Sequence, residues 1–190
     1  DLSFGGAVLV TGDDFINEAD FVGYDIDDVF AVRVVNEDRF LVEARSALDA
    51  TLIFEQGFEN NDLLVLDDLA ANNVVITVGG TGLQNEGVLH SSNSGGNPST
   101  GTRTINGDVF NVGKVDSDAL LTLNALFDTE HGTVDVRDGD VRANGTTVFG
   151  LGTVLLGIDG NDELLLNGNV LIRDGYWHST DANLVLEGSV

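Results

Sequence analysis

Hydrophobic and polar residues alternate with a period of two through much of the chain. Phe30, Val32 and Val34 alternate with Ala31, Arg33 and Val35, and Val134 and Val136 with Thr133, Asp135 and Arg137. That is the pattern of strands with two faces. From residue 133 onward the predicted strands are short and closely spaced, at 133–136, 141–143, 146–149, 153–156, 163–166 and 170–172. Three of them make a coil of about 20 residues, the size of one turn of a parallel β-helix. Asn106-Gly107, Asp138-Gly139, Asn144-Gly145, Asp159-Gly160 and Asn167-Gly168 punctuate the strands with pairs that tolerate positive φ. One stretch reads differently. Over residues 37–50, and again over 118–129, the spacing of Phe40, Ala44 and Leu48 suits one face of a helix capped by Asn36.

The predicted fold class is all-β, a parallel β-solenoid-like repeat. The alternative is an antiparallel β-sandwich or jelly roll with internal duplication, which Asp138-Gly139 favours as a hairpin turn between Val136 and Val141. A self-match at an offset of 80 residues sets Asp28-Val29-Phe30-Ala31-Val32 against Asp108-Val109-Phe110-Asn111-Val112. It divides the chain into a first β unit at 1–86, a second at 87–167, and a partial third unit or terminal cap at 168–190. Residues 91–101, rich in Ser, Gly and Asn and holding the single proline Pro98, read as a flexible loop or hinge.

Composition narrows the function. Among 190 residues, 42% are apolar, which argues for a packed core and against disorder. Against 32 acidic residues stand 8 basic ones, a formal charge of −24, and the only lysine is Lys114. Nucleic acid is therefore not an expected partner, because binding it requires Lys and Arg to neutralise phosphates. The surplus acid, weighted to Asp, also suits a hydrated shell adapted to salty water. The chain has no Cys and so no disulfide or thiolate chemistry, and no Met. An opening of Asp1-Leu2-Ser3-Phe4 fits a chain processed or cut from a longer product. The longest apolar runs are about six residues, against roughly 20 for a membrane helix, so no membrane insertion is expected.

The segment Gly79-Gly80-Thr81-Gly82-Leu83-Gln84-Asn85-Glu86-Gly87-Val88-Leu89, and to a lesser degree Gly132-Thr133-Val134-Asp135-Val136-Arg137-Asp138-Gly139, resembles the loose repeats of secreted β-helical adhesins and autotransporter passengers. The resemblance covers about a third of the chain. It implies an extracellular structural or adhesive role without a catalytic centre.

Candidate chemistry is sparse. Gly157-Ile158-Asp159-Gly160-Asn161-Asp162-Glu163-Leu164 resembles one unit of the calcium nonapeptide of secreted toxins and adhesins, with Ile158 where that pattern has glycine. Carboxylate and carbonyl oxygens on a tight turn suit Ca²⁺, which makes Asp159, Asn161 and Asp162 candidate metal ligands; the competing reading is an ordinary turn with no cofactor. Residues 57–64 are a looser second example. Tyr176 and Trp177 form an aromatic cluster suited to stacking on a sugar face, or to capping the end of a β core. His90, His131 and His178 are scattered without ligand spacing, and no Gly-x-Ser-x-Gly elbow or phosphate-binding glycine loop is present.

The functional expectation is a non-enzymatic structural, self-assembling protein at an extracellular, cell or virion surface, a homo-oligomer or polymer. Residues 1–11 or 184–190 would complete a neighbour's sheet by strand exchange. The alternative is a calcium-dependent adhesin or a glycan-binding module.

Overall fold

The computed structural model describes residues 2–4, 8–45, 48–69, 71–95, 101–150, 152–157, 163–173, 178–180 and 183–186. They form a parallel β-solenoid. Each coil contributes one short strand to each of three sheets in turn, giving two sheets of nine strands and one of eight. Every pairing between them is parallel, and each strand pairs with the strand three further along the chain. The coil Arg39–Ala44, Ala50–Phe54, Phe58–Asn60 lies beneath Leu63–Asp68, Val74–Val78, Leu83–Asn85, in register on all three faces.

Parallel stacking excludes the sandwich. Asp138-Gly139 does not close a hairpin: it lies at the corner between Thr133–Asp135 in the first sheet and Val141–Ala143 in the second. The asparagine–glycine pairs at 106–107, 144–145 and 167–168 occupy one corner in different coils. The turns there stack so closely that a Cβ on Gly145 would lie 2.0 Å from the Ala125 carbonyl oxygen, and one on Gly168 2.0 Å from that of Gly145. At 107, 145 and 168 glycine lets the stacked turns approach this closely, while Ala125 fills the same corner in the intervening coil.

The helix expected over residues 37–50 is not formed, and the described residues contain no helix. Phe40, Val42 and Ala44 instead point inward from a strand and are fully buried, while Leu48 is 61% exposed. Asn36, read as a helix cap, is buried inside the solenoid.

The repeat unit is the single coil. Successive inward asparagines on the third sheet lie 19, 24, 25 and 26 residues apart. An offset of 80 carries Val29 and Phe30 of the second sheet onto Val109 and Phe110 of the third. The sheets run without a break across positions 86/87 and 167/168.

Inside, each sheet contributes columns of side chains. On the first sheet Phe21, Phe40, Leu64, Leu89, Val115, Val134 and Leu155 follow one another, all 1% exposed or less. Phe15, Phe21, Phe30, Phe40, Phe54 and Phe58 fill the N-terminal coils, with ring centroids 4.0–6.3 Å apart and mostly edge-to-face. Leu, Val and Ala dominate later coils. Columns of this kind bind each coil to the next through buried apolar area and ladder hydrogen bonds together.

Candidate functional site

The residues singled out for chemistry fall largely outside what the structure describes. Asp159, Asn161 and Asp162 lie in the segment 158–162, and Tyr176 and Trp177 in 174–177, both outside the described residues. In the looser calcium-like segment, Asn60 is committed to the interior and Glu59 pairs with Arg33. Among the described residues, no group of three or more His, Asp or Glu side chains converges on a point that would hold a metal ion.

Aspartates clustered along the chain, at 13–14, 25–28 and 67–68, have structural partners. Asp14 faces Arg33, Asp25 accepts the Arg45 amide, and Asp67 accepts the Ser94 amide. Asp28 points into the core, in the column continued by Leu52, Ile76 and Ile105. One of its oxygens accepts the Val8 amide at 2.5 Å; the other has no hydrogen-bond partner among the described residues. Burial raises the Asp28 carboxyl above its ordinary pKa, the Val8 hydrogen bond opposes that, and the Asp27 charge adds to it.

Three polar constructions organise the rest. The first is an interior ladder on the third sheet. Asn17, Asn36, Asn60 and Asn85 each donate a side-chain N–H to the amide oxygen of the next asparagine at 2.7–2.8 Å, and Asn111 donates to the Thr129 hydroxyl at 3.1 Å. The second N–H of each amide caps a backbone carbonyl at the corner, as Asn36 does at Leu63 and Asn85 at Lys114. Both side-chain N–H groups of each of these five asparagines are thereby occupied.

The second sits on the outer face of the first sheet. Asp135 is 1% exposed, and Lys114 and Arg137 both donate to it. Burial pushes its carboxyl up, but the hydrogen bonds from Arg137 and Lys114 outweigh burial and hold it down to about 2. Lys114 also reaches Asp116 at 3.0 Å, and His90 stands 3.4 Å from Asp116 and 3.5 Å from Asp118.

The third is the outer face of the second sheet. Along Ala50–Phe54, Val74–Val78, Arg103–Asn106 and Leu121–Leu123, one outward row is Thr51, Val75, Thr104, Thr122; the adjacent row is Ile53, Thr77, Asn106 and then Asn124. No charged side chain stands in either row over these four coils. Asn124 donates to Asn106 and Asn144 to Asn124, both at 2.8 Å, and Asn167 to Asn144 at 3.4 Å. This second ladder faces solvent. In the sequence its members read only as turn residues; the signal was Asn before Gly at three matching corners, with a fourth Asn before Ala125.

Comparison of the chain with protein-family models, with curated proteins and with solved structures finds no match.

Proposed function

We propose that the chain is a non-enzymatic structural segment of an extracellular, cell or virion surface, a stiff β-solenoid scaffold that associates with copies of itself. The observation that carries this reading is the interior: apolar columns and an asparagine ladder run from coil to coil, so each coil templates the next and the side chains inside serve packing. The acid surplus supports placement at a hydrated outer surface.

Self-association draws support from the outermost strands of the third sheet. Phe15–Asn17 and Val170–Ile172 each pair on one side only among the described residues, and they expose Ile16 at 57%, Leu171 at 49% and Ile172 at 62%. Free parallel edges with apolar side chains are covered by a further coil of a longer chain or by another copy. Leu2–Phe4, Leu9–Val10 and Asn183–Leu186 pair with strands of their own chain, and strand exchange through residues 1–11 or 184–190 would make the same pairings to a neighbour. Edge-to-edge addition at the third sheet is a second route to the same assembly.

Sedimentation velocity of the 190-residue chain tests this. Concentration-dependent oligomers that Leu171→Asp with Ile172→Asp abolishes support the reading. A parent chain that sediments as a monomer at all concentrations overturns self-association. The calcium-dependent form of the reading would add Asp159, Asn161 and Asp162 as ligands.

A further inference from the structure

The outer face of the second sheet is an anomaly of charge. In a molecule of −24, the outward positions of four successive coils hold Thr51, Ile53, Val75, Thr77, Thr104, Asn106, Thr122 and Asn124, and none is ionisable. Acidic side chains flank the strip at Asp27, Asp49, Glu55 and Asp108, and Arg142 stands beyond Thr122 in its row. The other two sheets carry charge in the equivalent rows, with Glu43, Asp116 and Asp135 on the first and Glu59 and Asp128 on the third.

Chemistry and dimensions select the occupant. Rows repeat at the strand spacing of ~4.8 Å along the solenoid axis and stand about 7 Å apart across it. Over its four coils the strip is therefore about 19 Å long and about 7 Å wide, roughly 130 Å², against about 800 Å² per partner in a stable protein interface. That area is too small to hold a folded partner or a second copy by itself. A polyanion would be repelled by the acidic rim, and a polycation would be drawn to the charged faces instead. What suits the strip is an uncharged, linear, hydroxyl-rich polymer lying along the axis.

The side chains are suited to hydroxyl groups. Asn124 and Asn144 each use one N–H and one oxygen lone pair within the ladder, leaving one N–H and one lone pair per amide for a ligand. The ladder holds those amides in one orientation, so little rotamer freedom remains to be lost on binding. Thr104 and Thr122 add hydroxyls that donate or accept, and the methyls of Thr, Val75 and Ile53 give the strip apolar contact area.

We infer that the uncharged Thr/Asn strip on the second sheet, from Thr51 to Asn124, is a binding surface for a neutral linear polysaccharide. It extends the surface reading above, and rests on it only for placing the chain among extracellular glycans. It is separate from the candidate sugar contact at Tyr176 and Trp177.

The test is affinity gel electrophoresis of the 190-residue chain through gels containing hydroxyethylcellulose, galactomannan or alginate. The expected result is retardation by at least one neutral polymer, none by alginate, and at least tenfold weaker retention of Asn124→Asp and of Thr104→Glu. Thr122→Arg serves as a third variant should either of these lose its circular-dichroism melting transition. No retardation by either neutral polymer overturns the inference, as does retention unchanged in the folded variants. Thermal hysteresis in ice without polysaccharide retention would assign the strip to ordered water, and dimerisation abolished by Thr104→Glu would assign it to a second copy; either overturns the inference. Sedimentation of the same variants separates it from the self-association reading, which they leave intact.

Discussion

Asn60 donates its side-chain N–H to the amide oxygen of Asn85 over 2.7 Å while its own amide oxygen accepts from Asn36 at 2.8 Å, and all three side chains are fully buried. Each amide in the interior thus closes the hydrogen bonding of the coil before it and the coil after it. Asn60→Ala would leave the Asn36 N–H and the Asn85 oxygen without partners, together with the Val88 carbonyl that Asn60 also caps. At about 1–3 kcal/mol for each unsatisfied buried group, a loss of about 3 kcal/mol or more is expected, read as a lower midpoint in urea unfolding. Asn17→Ala, at the end of the ladder, leaves two groups without a partner, the Asn36 oxygen and the Arg39 carbonyl, and is expected to cost less, about 2 kcal/mol. Equal effects at the two positions would refute a continuous ladder.

Arg103 is a buried cation at an inward position of the second sheet. It donates to the carbonyls of Ser92 and Gly101, both at 3.0 Å, and stands 3.7 Å from the Asp68 carboxylate; both side chains are essentially unexposed. It joins two points of the chain that flank the Ser- and Gly-rich stretch. Arg103→Met or Asp68→Leu should each cost about 3–5 kcal/mol, because the remaining charge stays buried. The double variant should lose clearly less than the sum of the two. Additive losses in urea melts would mean that the charges do not interact.

Two carboxylates predict opposite pH responses. The folded-state pKa of Asp135, about 2, lies below its unfolded value, so its contribution is present above about pH 4 and fades as pH falls through 2. Asp135→Asn should therefore cost about 2 kcal/mol at neutral pH, with variant and parent converging in stability toward pH 2. Asp28 is raised, so its stabilising contribution is present below the unfolded carboxylate value and is lost as pH rises through the folded one. Asp28→Asn keeps an acceptor for the Val8 amide and is expected to be more stable than the parent at neutral pH, with the advantage shrinking in acid. Thermal melts across pH 2–8 would expose a wrong sign at either position.

Calcium acts, in the adhesin form of the proposal, through Asp159, Asn161 and Asp162. Added calcium then raises the melting temperature by ligand linkage, and Asp159→Asn removes the increase. A parent chain whose melting temperature is the same in calcium and in chelator limits that segment to a turn.

Strand positions were legible where the period-two alternation is clean. The segments 141–143, 163–166 and 170–172 match observed strands to the residue, and those expected at 133–136, 146–149 and 153–156 differ by one residue at one end. The helical reading around Phe40 and Ala44 arose because a spacing of four is also even, so residues on one helix face share a strand face too. The ladder was written in the chain as an apolar residue, any residue, then Asn: Phe15-Ile16-Asn17, Val34-Val35-Asn36, Phe58-Glu59-Asn60, Leu83-Gln84-Asn85 and Val109-Phe110-Asn111. Unequal coil lengths hid it, since no single offset superposes all five. The buried Arg103–Asp68 pair had no local signal, because 34 residues separate partners that only the stacking of coils brings together. The uncharged strip was invisible for the same reason: its threonines and asparagines are scattered singly along the chain and become a surface only when the coils align.

Negative-stain electron microscopy of the purified chain, once in calcium and once in chelator, tests the scaffold reading most directly. A self-associating solenoid gives elongated particles joined end to end in both conditions. Assembly lost only in chelator would transfer the contact to residues 159–162 and the calcium-dependent form. Separate, unjoined particles in both conditions would contradict self-assembly outright.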